Sequence, residues 1–310
     1  MQILKNNLYV TCPLCGSNQY SVRYPATTHE SPDTPIEKDF NYFRCTSHYL
    51  SQHGDIVKCS QCGMIYNNPQ PSSQELVDIY KEVEDPLYLE ESEARVRTFK
   101  HSLEQIHRIV SPPGRLLDIG CYTGVFIETA ATAGWNVEGV ELSAWAAKIA
   151  KEKNIGPIHN MSMDRLDIPP ESFQVITLWD VIEHLAQPSE MLTSIHRLLK
   201  PGGILAISTH MVDSLAVRIL GKRYPFFMDM HVVHFSRKTT RRILEDNGYE
   251  VVSIKSHRRV LRMGYFLEKL YHKVPFGKGI IKWLTSKKCI SNLFIQVGLL
   301  GLVNIYARKK

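Results

Sequence analysis

The 310-residue sequence predicts a doubly wound α/β protein on a mostly parallel sheet, preceded by a small metal-binding module. Three observations carry this. From residue 114 onward, short apolar runs alternate with segments of helical periodicity, the pattern of a parallel sheet with helices on both faces. The first run leads into a glycine-punctuated turn, Gly114-Arg-Leu-Leu-Asp118-Ile-Gly120-Cys-Tyr122-Thr-Gly124. Ahead of it stand two Cys-x-x-Cys-Gly knuckles, Cys12-Pro-Leu-Cys15-Gly and Cys59-Ser-Gln-Cys62-Gly.

Each knuckle offers two thiolates to one metal, and its glycine permits the turn that aims backbone amides at the sulfurs. A pair of knuckles completes a tetrahedral structural zinc site. The 43 residues between Cys15 and Cys59 also hold Cys45, His29, His48 and His53, from which an alternative ligand could come; Cys45 reads as a buried thiol. Residues 1–72 form the zinc-ribbon-like module and 73–113 a helical connection. Ser72 or Ser73 caps a helix near Gln74, and Val96, Phe99, Leu103, Ile106 and Val110 mark a long helix from about Ser92. Ser111-Pro-Pro-Gly114 leads into the central strand.

Arg115–Ile119 reads as a strand, Gly120–Gly124 as a tight turn and Val125–Ala133 as a helix. Glycine lets backbone approach a ligand closely and reaches positive φ without strain. A second strand, Trp135–Val140, ends in Glu141, 23 residues after Asp118, where a carboxylate can accept from both hydroxyls of a ribose. An NAD-binding turn would want Gly-x-Gly-x-x-Gly, which is absent here. The stretch resembles the first motif of the class I S-adenosylmethionine-dependent methyltransferases, acidic-x-Gly-x-Gly-x-Gly. Asp118, Gly120 and Gly124 match it, and Tyr122 stands where the middle glycine is usual, so its ring must turn away from the methionine part of the cofactor or crowd it.

The resemblance extends over residues 90–255. It implies a seven-stranded Rossmann-like sheet, with the cofactor-binding domain at 114–310. Ile158–Asp164 takes the place of the adenine loop, with Met163 against the ring and Asp164 near its amine. After the strand Phe173–Trp179, Asp180-Val-Ile-Glu183-His184 resembles the motif where cofactor and acceptor meet. On a helical turn Asp180, Glu183 and His184 would share one face, and three roles compete: His184 as base, a structural role, or all three as ligands for a divalent ion such as Mg. Leu199-Lys-Pro-Gly-Gly203 before an apolar run is among the more specific signs of the class. The following insertion, His210–Phe235, brings His231 and His234 among aromatics as further candidate bases. Ser236 caps a helix, Tyr249–Ile254 is the sixth strand and Gly301–Ala307 the last, antiparallel one.

The net charge of +6 hides an asymmetry: residues 255–310 carry thirteen Lys and Arg against Glu268 alone, or +12, leaving −6 for the rest. Residues 256–300 read as a basic amphipathic helical insertion, with Val260, Met263, Leu267, Leu270 and Val274 at helical spacing beside Arg258, Arg259, Arg262, Lys269 and Lys273. No secretory signal or confident membrane span is evident, so a cytoplasmic protein, peripheral to an anionic membrane, is expected. The predicted function is S-adenosylmethionine-dependent O-methylation of a small-molecule, sugar, glycan or lipid-linked acceptor. Sugar C-methylation, RNA methylation beside a zinc module, and a non-enzymatic binding role with a site altered by Tyr122 are the alternatives.

Overall fold

A computed structural model describes residues 7–27, 43–47, 50–271, 277–298 and 301–310. His29, His48, Lys273 and Val274, singled out above, lie outside them.

The elements run β1 (Tyr20–Tyr24), β2 (Ile56–Cys59), β3 (Ile65–Asn67), α1 (Ser73–Lys81), α2 (Pro86–Glu90) and α3 (Ser92–His107). They continue as β4 (Arg115–Ile119), α4 (Val125–Thr132), β5 (Asn136–Val140), α5 (Ala144–Glu152), β6 (Ile158–His159), β7 (Phe173–Trp179), α6 (Pro188–Leu198), β8 (Leu199–His210), α7 (Leu215–Leu220), β9 (Val233–His234) and α8 (Arg237–Asp246). The carboxyl-terminal part is β10 (Tyr249–Ser256), β11 (Arg259–Arg262), α9 (Met263–Tyr271), α10 (Lys278–Ser286), α11 (Lys288–Ser291), β12 (Phe294–Val297) and β13 (Leu302–Lys309).

The main sheet has the order β10-β13-β8-β7-β4-β5-β6, seven strands as expected, with β13 antiparallel to both neighbours. Its central strands are buried on both faces, and alternate residues serve opposite layers. On β4, Leu116 packs with Leu103, Ile106 and Phe126 from α3 and α4. Leu117 and Ile119 pack on the other side with Leu192 and Ile195 from α6 and Ile243 from α8. Truncating such a residue to Ala costs about 2–5 kcal/mol.

Helix starts follow their caps. Ser72 and Glu75 close a capping box on α1, Ser143 Oγ accepts from Ala146 N–H on α5, and Ser236 opens α8. Each satisfies amide groups that the first helical turn leaves without partners.

Two features depart from the sequence reading. The amino-terminal strands do not stand alone: β3 pairs antiparallel with β9 of the insertion, Ile65 opposite His234, in a four-stranded sheet β1-β2-β3-β9. The basic segment is not helical from Val260. Residues Arg259–Arg262 form a strand paired with Phe294–Val297, and the helix begins only at Met263. Val260 is buried and its N–H donates to Thr98 Oγ1 (2.8 Å), so partners distant in sequence override the local helical spacing. Among the described residues no helix is long and apolar enough to cross a membrane.

Candidate active site

A cavity of about 580 Å³ opens beyond the carboxyl ends of β4, β5, β6 and β7, where ligands enter open parallel sheets. One end is built from the glycine turn. Gly120 has φ +72°, and a Cβ there would lie 2.7 Å from Val181 Cγ2, so no larger residue fits. Tyr122 takes φ +48°, the left-handed conformation in which glycine is at ease, and packs edge-on against Tyr88 with ring centroids 4.5 Å apart. Gly124 lies at φ +76° with Ala150 behind it; it seats α4 and does not face the cavity.

Glu141 is buried, its carboxylate accepting the amides of Tyr122 (2.8 Å) and Ser143 (2.7 Å). Two of about four acceptor positions are thereby used, and the others can take a pair of hydroxyls. Burial raises its pKa, opposed by those amides. Asp118 accepts from Thr177 Oγ1 (2.5 Å), and burial pushes its carboxyl up to about 8, so it holds a proton at neutral pH. Met163 and Asp164 line the same end.

At the other end the chain contradicts one expectation. Asp180 has φ +54° and lies outside the short helical turn Ile182–His184, so Asp180, Glu183 and His184 do not share a face. Its carboxylate accepts from Ser208 Oγ (2.7 Å) and Arg259 Nη2 (2.5 Å); these partners and His257 outweigh burial and hold it well below the usual carboxylate range. The atoms gathered instead belong to Glu183, His184 and His231, one from each within 4.8 Å of one another. The Asp180-containing ion site read from the sequence is therefore not assembled.

His184 Nδ1 lies 2.8 Å from the Met230 carbonyl and 2.7 Å from Tyr80 Oη. His231 Nδ1 lies 2.7 Å from the Phe226 carbonyl. A carbonyl only accepts, so His231 Nδ1 carries its hydrogen and leaves the lone pair on Nε2; the His184 ring meets the Met230 carbonyl, the Tyr80 hydroxyl and the backbone of Asp180. Burial lowers both pKa values, most strongly for His231, keeping the rings neutral. Their centroids are 4.7 Å apart and both line the cavity. Glu183 is raised to about 8 by burial and by Asp180.

His234 is corrected as a candidate base. It is fully buried away from the cavity, with Nε2 on Asn67 Oδ1 (2.9 Å) and Nδ1 on His210 Nε2 (3.0 Å), so neither nitrogen is free. Sequence reasoning missed Tyr80, His210 and Arg259. It also missed Arg95, a cavity-lining cation stacked 3.5 Å over Tyr88 whose buried Nε has no hydrogen-bond partner among the described residues. Cys45, expected buried, is exposed on the cavity wall.

In the amino-terminal module Cys12, Cys15, Cys59 and Cys62 converge, with Sγ–Sγ distances of 3.4 Å (Cys12–Cys62) and 3.6 Å (Cys15–Cys59). Zn–S bonds of about 2.3 Å give tetrahedral edges of about 3.8 Å, close to these two edges, and all four sulfurs lie within 4.8 Å of one another. Burial opposes ionisation of Cys59, but the amides of Cys62 and Gln61 and neighbouring thiols bring it down to about 7, favouring one thiolate at neutral pH.

A family model described as a methyltransferase domain matches residues 90–254. The chain belongs to that family. Its glycine turn, second-strand Glu141 and seven-stranded sheet are those of a class I S-adenosylmethionine-dependent methyltransferase. The chain is 33% identical over 113 residues to the mitochondrial ubiquinone biosynthesis O-methyltransferase of Schizosaccharomyces pombe, covering 34% of this chain and 41% of that one. It is 31% identical over 118 residues to the ubiquinone biosynthesis O-methyltransferase of Paraburkholderia phymatum, covering 36% and 51%. The matches thus span about half, or less, of these relatives' length. Among solved structures, a methyltransferase of Thermotoga maritima aligns with TM-score 0.44 at 21% identity, covering 71% of this chain and 89% of that one.

Proposed function

We propose that the protein transfers a methyl group from S-adenosylmethionine to a hydroxyl oxygen of a small sugar, glycan or lipid-linked acceptor. The observation that carries this is the pair of buried imidazoles, His184 and His231, with ring centroids 4.7 Å apart on one cavity with the glycine turn. The name O-methyltransferase of the matched relatives supports it.

S-adenosylmethionine, when bound, supplies an electrophilic methyl group on a sulfonium. Residues suited to hold it are Gly120, Glu141, Met163 and Asp164, with Asp118 bracing the turn: Gly120 leaves room for close approach, and Glu141 keeps acceptor positions for hydroxyls. A hydroxyl nucleophile needs somewhere for its proton to go. The imidazole pair takes it: the His184 ring is fixed by the Met230 carbonyl and Tyr80, and His231 stands beside it with Nε2 as an acceptor. Orientation can contribute up to about 7–11 kcal/mol and a general base about 10²–10⁴ in rate. We further propose that Cys12, Cys15, Cys59 and Cys62 hold one structural zinc in an amino-terminal module of residues 1–72, ahead of the catalytic domain at 114–310.

Incubation with methyl-labelled S-adenosylmethionine and fractions of cell extract tests the reading. Label should appear in an organic-extractable or saccharide fraction as a methyl ether, and be lost with His184→Gln. Label on nitrogen, on carbon or in RNA would overturn it.

A further inference from the structure

The basic tail carries more charge than the catalytic reading uses, and the fold divides that charge in two. Arg259 is held by Asp180, Arg262 by Glu91 (2.6 Å) and Lys269 by the carbonyls of Thr46 and Ser47. Arg259 and Tyr265 line the cavity, and Arg262 and Lys269 are taken up by neighbouring segments, so this half faces inward. The other half is α10 and α11. Lys278, Lys282, Lys287 and Lys288 are all exposed there, none is in an ion pair with a described residue, and no acidic residue occurs between Lys269 and the last residue, Lys310.

Along the same outer surface α10 presents Ile280, 67% exposed, and Trp283, 58% exposed, three residues apart and so on one face. Ile281 is buried on the opposite side, where α10 packs against α9. One exposed apolar residue needs no explanation. An exposed Trp and Ile on a segment with four exposed lysines, Lys287 lying over the Trp283 ring (5.5 Å) and Lys278 over that of Tyr271 (5.3 Å), is the composition of a helix lying in a membrane interface: apolar side chains enter the acyl boundary, the indole sits at headgroup depth and lysines meet anionic lipid.

We propose that the outer face of α10 docks the protein on an anionic lipid bilayer. Charge complementarity selects this occupant. A second copy related by a two-fold axis would bring four lysines against four lysines. RNA would engage the lysines and leave Ile280 without a role. Docking itself does not depend on the methyl-transfer reading; only its consequence does, that α9 and the cavity wall beside α10 are held near the headgroups, where a lipid-linked acceptor is available.

Flotation of the zinc-replete full chain with phosphatidylglycerol/phosphatidylcholine vesicles and with phosphatidylcholine alone is the test. The protein should bind the anionic vesicles and release as salt is added. Replacing Lys278, Lys282, Lys287 and Lys288 by Gln should weaken binding well over tenfold, since each lysine near an anionic surface is worth roughly fivefold. Ile280→Ser with Trp283→Ser should weaken it about tenfold at low salt. Melting curves and S-adenosylmethionine affinity should match wild type in both variants, which separates loss of docking from misfolding and from failure of the cofactor site. Equal flotation with neutral vesicles, no effect of the Ile280/Trp283 change, or RNA that competes with the vesicles yet binds the Ile280/Trp283 variant as well as wild type would overturn the proposal.

Discussion

At the glycine-turn end of the cavity, the residues come from loops that follow β4, β5 and β6, all between Asp118 and Asp164. The histidine end draws on Tyr80 from α1, His184 after β7, His231 from the insertion beside β9 and Arg259 from β11. The first end is held by backbone: the amides of Tyr122 and Ser143 fix Glu141, and Val140 O accepts from Gly120 N–H. The second is held by contacts between segments distant in sequence, Tyr80 and the Met230 carbonyl on His184 and Asp180 on Arg259, and it leans on the amino-terminal sheet through the β3–β9 pairing. A cofactor common to a whole family can be bound by one short motif, whereas an acceptor pocket has to be gathered from separate segments. The two ends should therefore fail independently.

The largest separation should come from the metal. Cys62→Ser should release zinc, measured by elemental analysis, and cost several kcal/mol of stability in residues 7–67, because structural zinc binding is folding energy. Through β3 and β9 the loss of hydrogen-exchange protection should reach Val233 and His234, while S-adenosylmethionine affinity changes less than about threefold. Protection lost evenly across β4 and β5 would mean that the ends are coupled.

Asp118 supplies a test by pH. Its folded pKa of about 8 lies above the ordinary aspartate value of about 3.9, so the folded state keeps a proton that the unfolded chain releases. The stability it contributes is complete below about pH 4 and is lost as pH rises to about 8. Asp118→Asn should thus gain on wild type by up to about 1.4 kcal/mol per pH unit across that window, seen in cofactor-free denaturant melts. Parallel melts at pH 5 and 8 would remove the claim that Asp118 is protonated.

Glu141→Ala should weaken S-adenosylmethionine by tenfold or more in calorimetry, about 1.5–3 kcal/mol for hydrogen bonds to a charged group. It also strips the Tyr122 and Ser143 amides of their acceptor, so the melting temperature should fall too.

These expectations trace how much the sequence disclosed. The strands at Arg115–Ile119 and Phe173–Trp179, and the caps Ser72, Ser143 and Ser236, were legible because apolar runs and cap hydrogen bonds are local. The place of Glu141 at the end of β5 and the convergence of the four knuckle cysteines were legible because a strand end and a Cys-x-x-Cys-Gly turn are local features. The pairing of β3 with β9 was not, since a two-residue strand has no periodicity of its own. Arg259 read as one more charge on a helix, because nothing near it announces that Phe294–Val297 will pair with its segment. His234 looked equivalent to His231 until Asn67 and His210 occupied both of its nitrogens.

The smallest effect should be at Tyr122. Tyr122→Gly relieves a left-handed residue by about 1 kcal/mol but forfeits the contact with Tyr88, leaving stability within about 1 kcal/mol of wild type. A clear rise in cofactor affinity would show that the ring crowds the site.

The division between the two ends is tested most directly by measuring S-adenosylmethionine affinity and labelled methyl transfer side by side in Glu141→Gln and His184→Gln. Glu141→Gln should lose affinity, and His184→Gln should bind the cofactor as wild type does while its transfer rate falls by about 10²-fold or more. Undiminished transfer by His184→Gln, or loss of cofactor binding with it, would contradict the assignment of the histidine end to the acceptor.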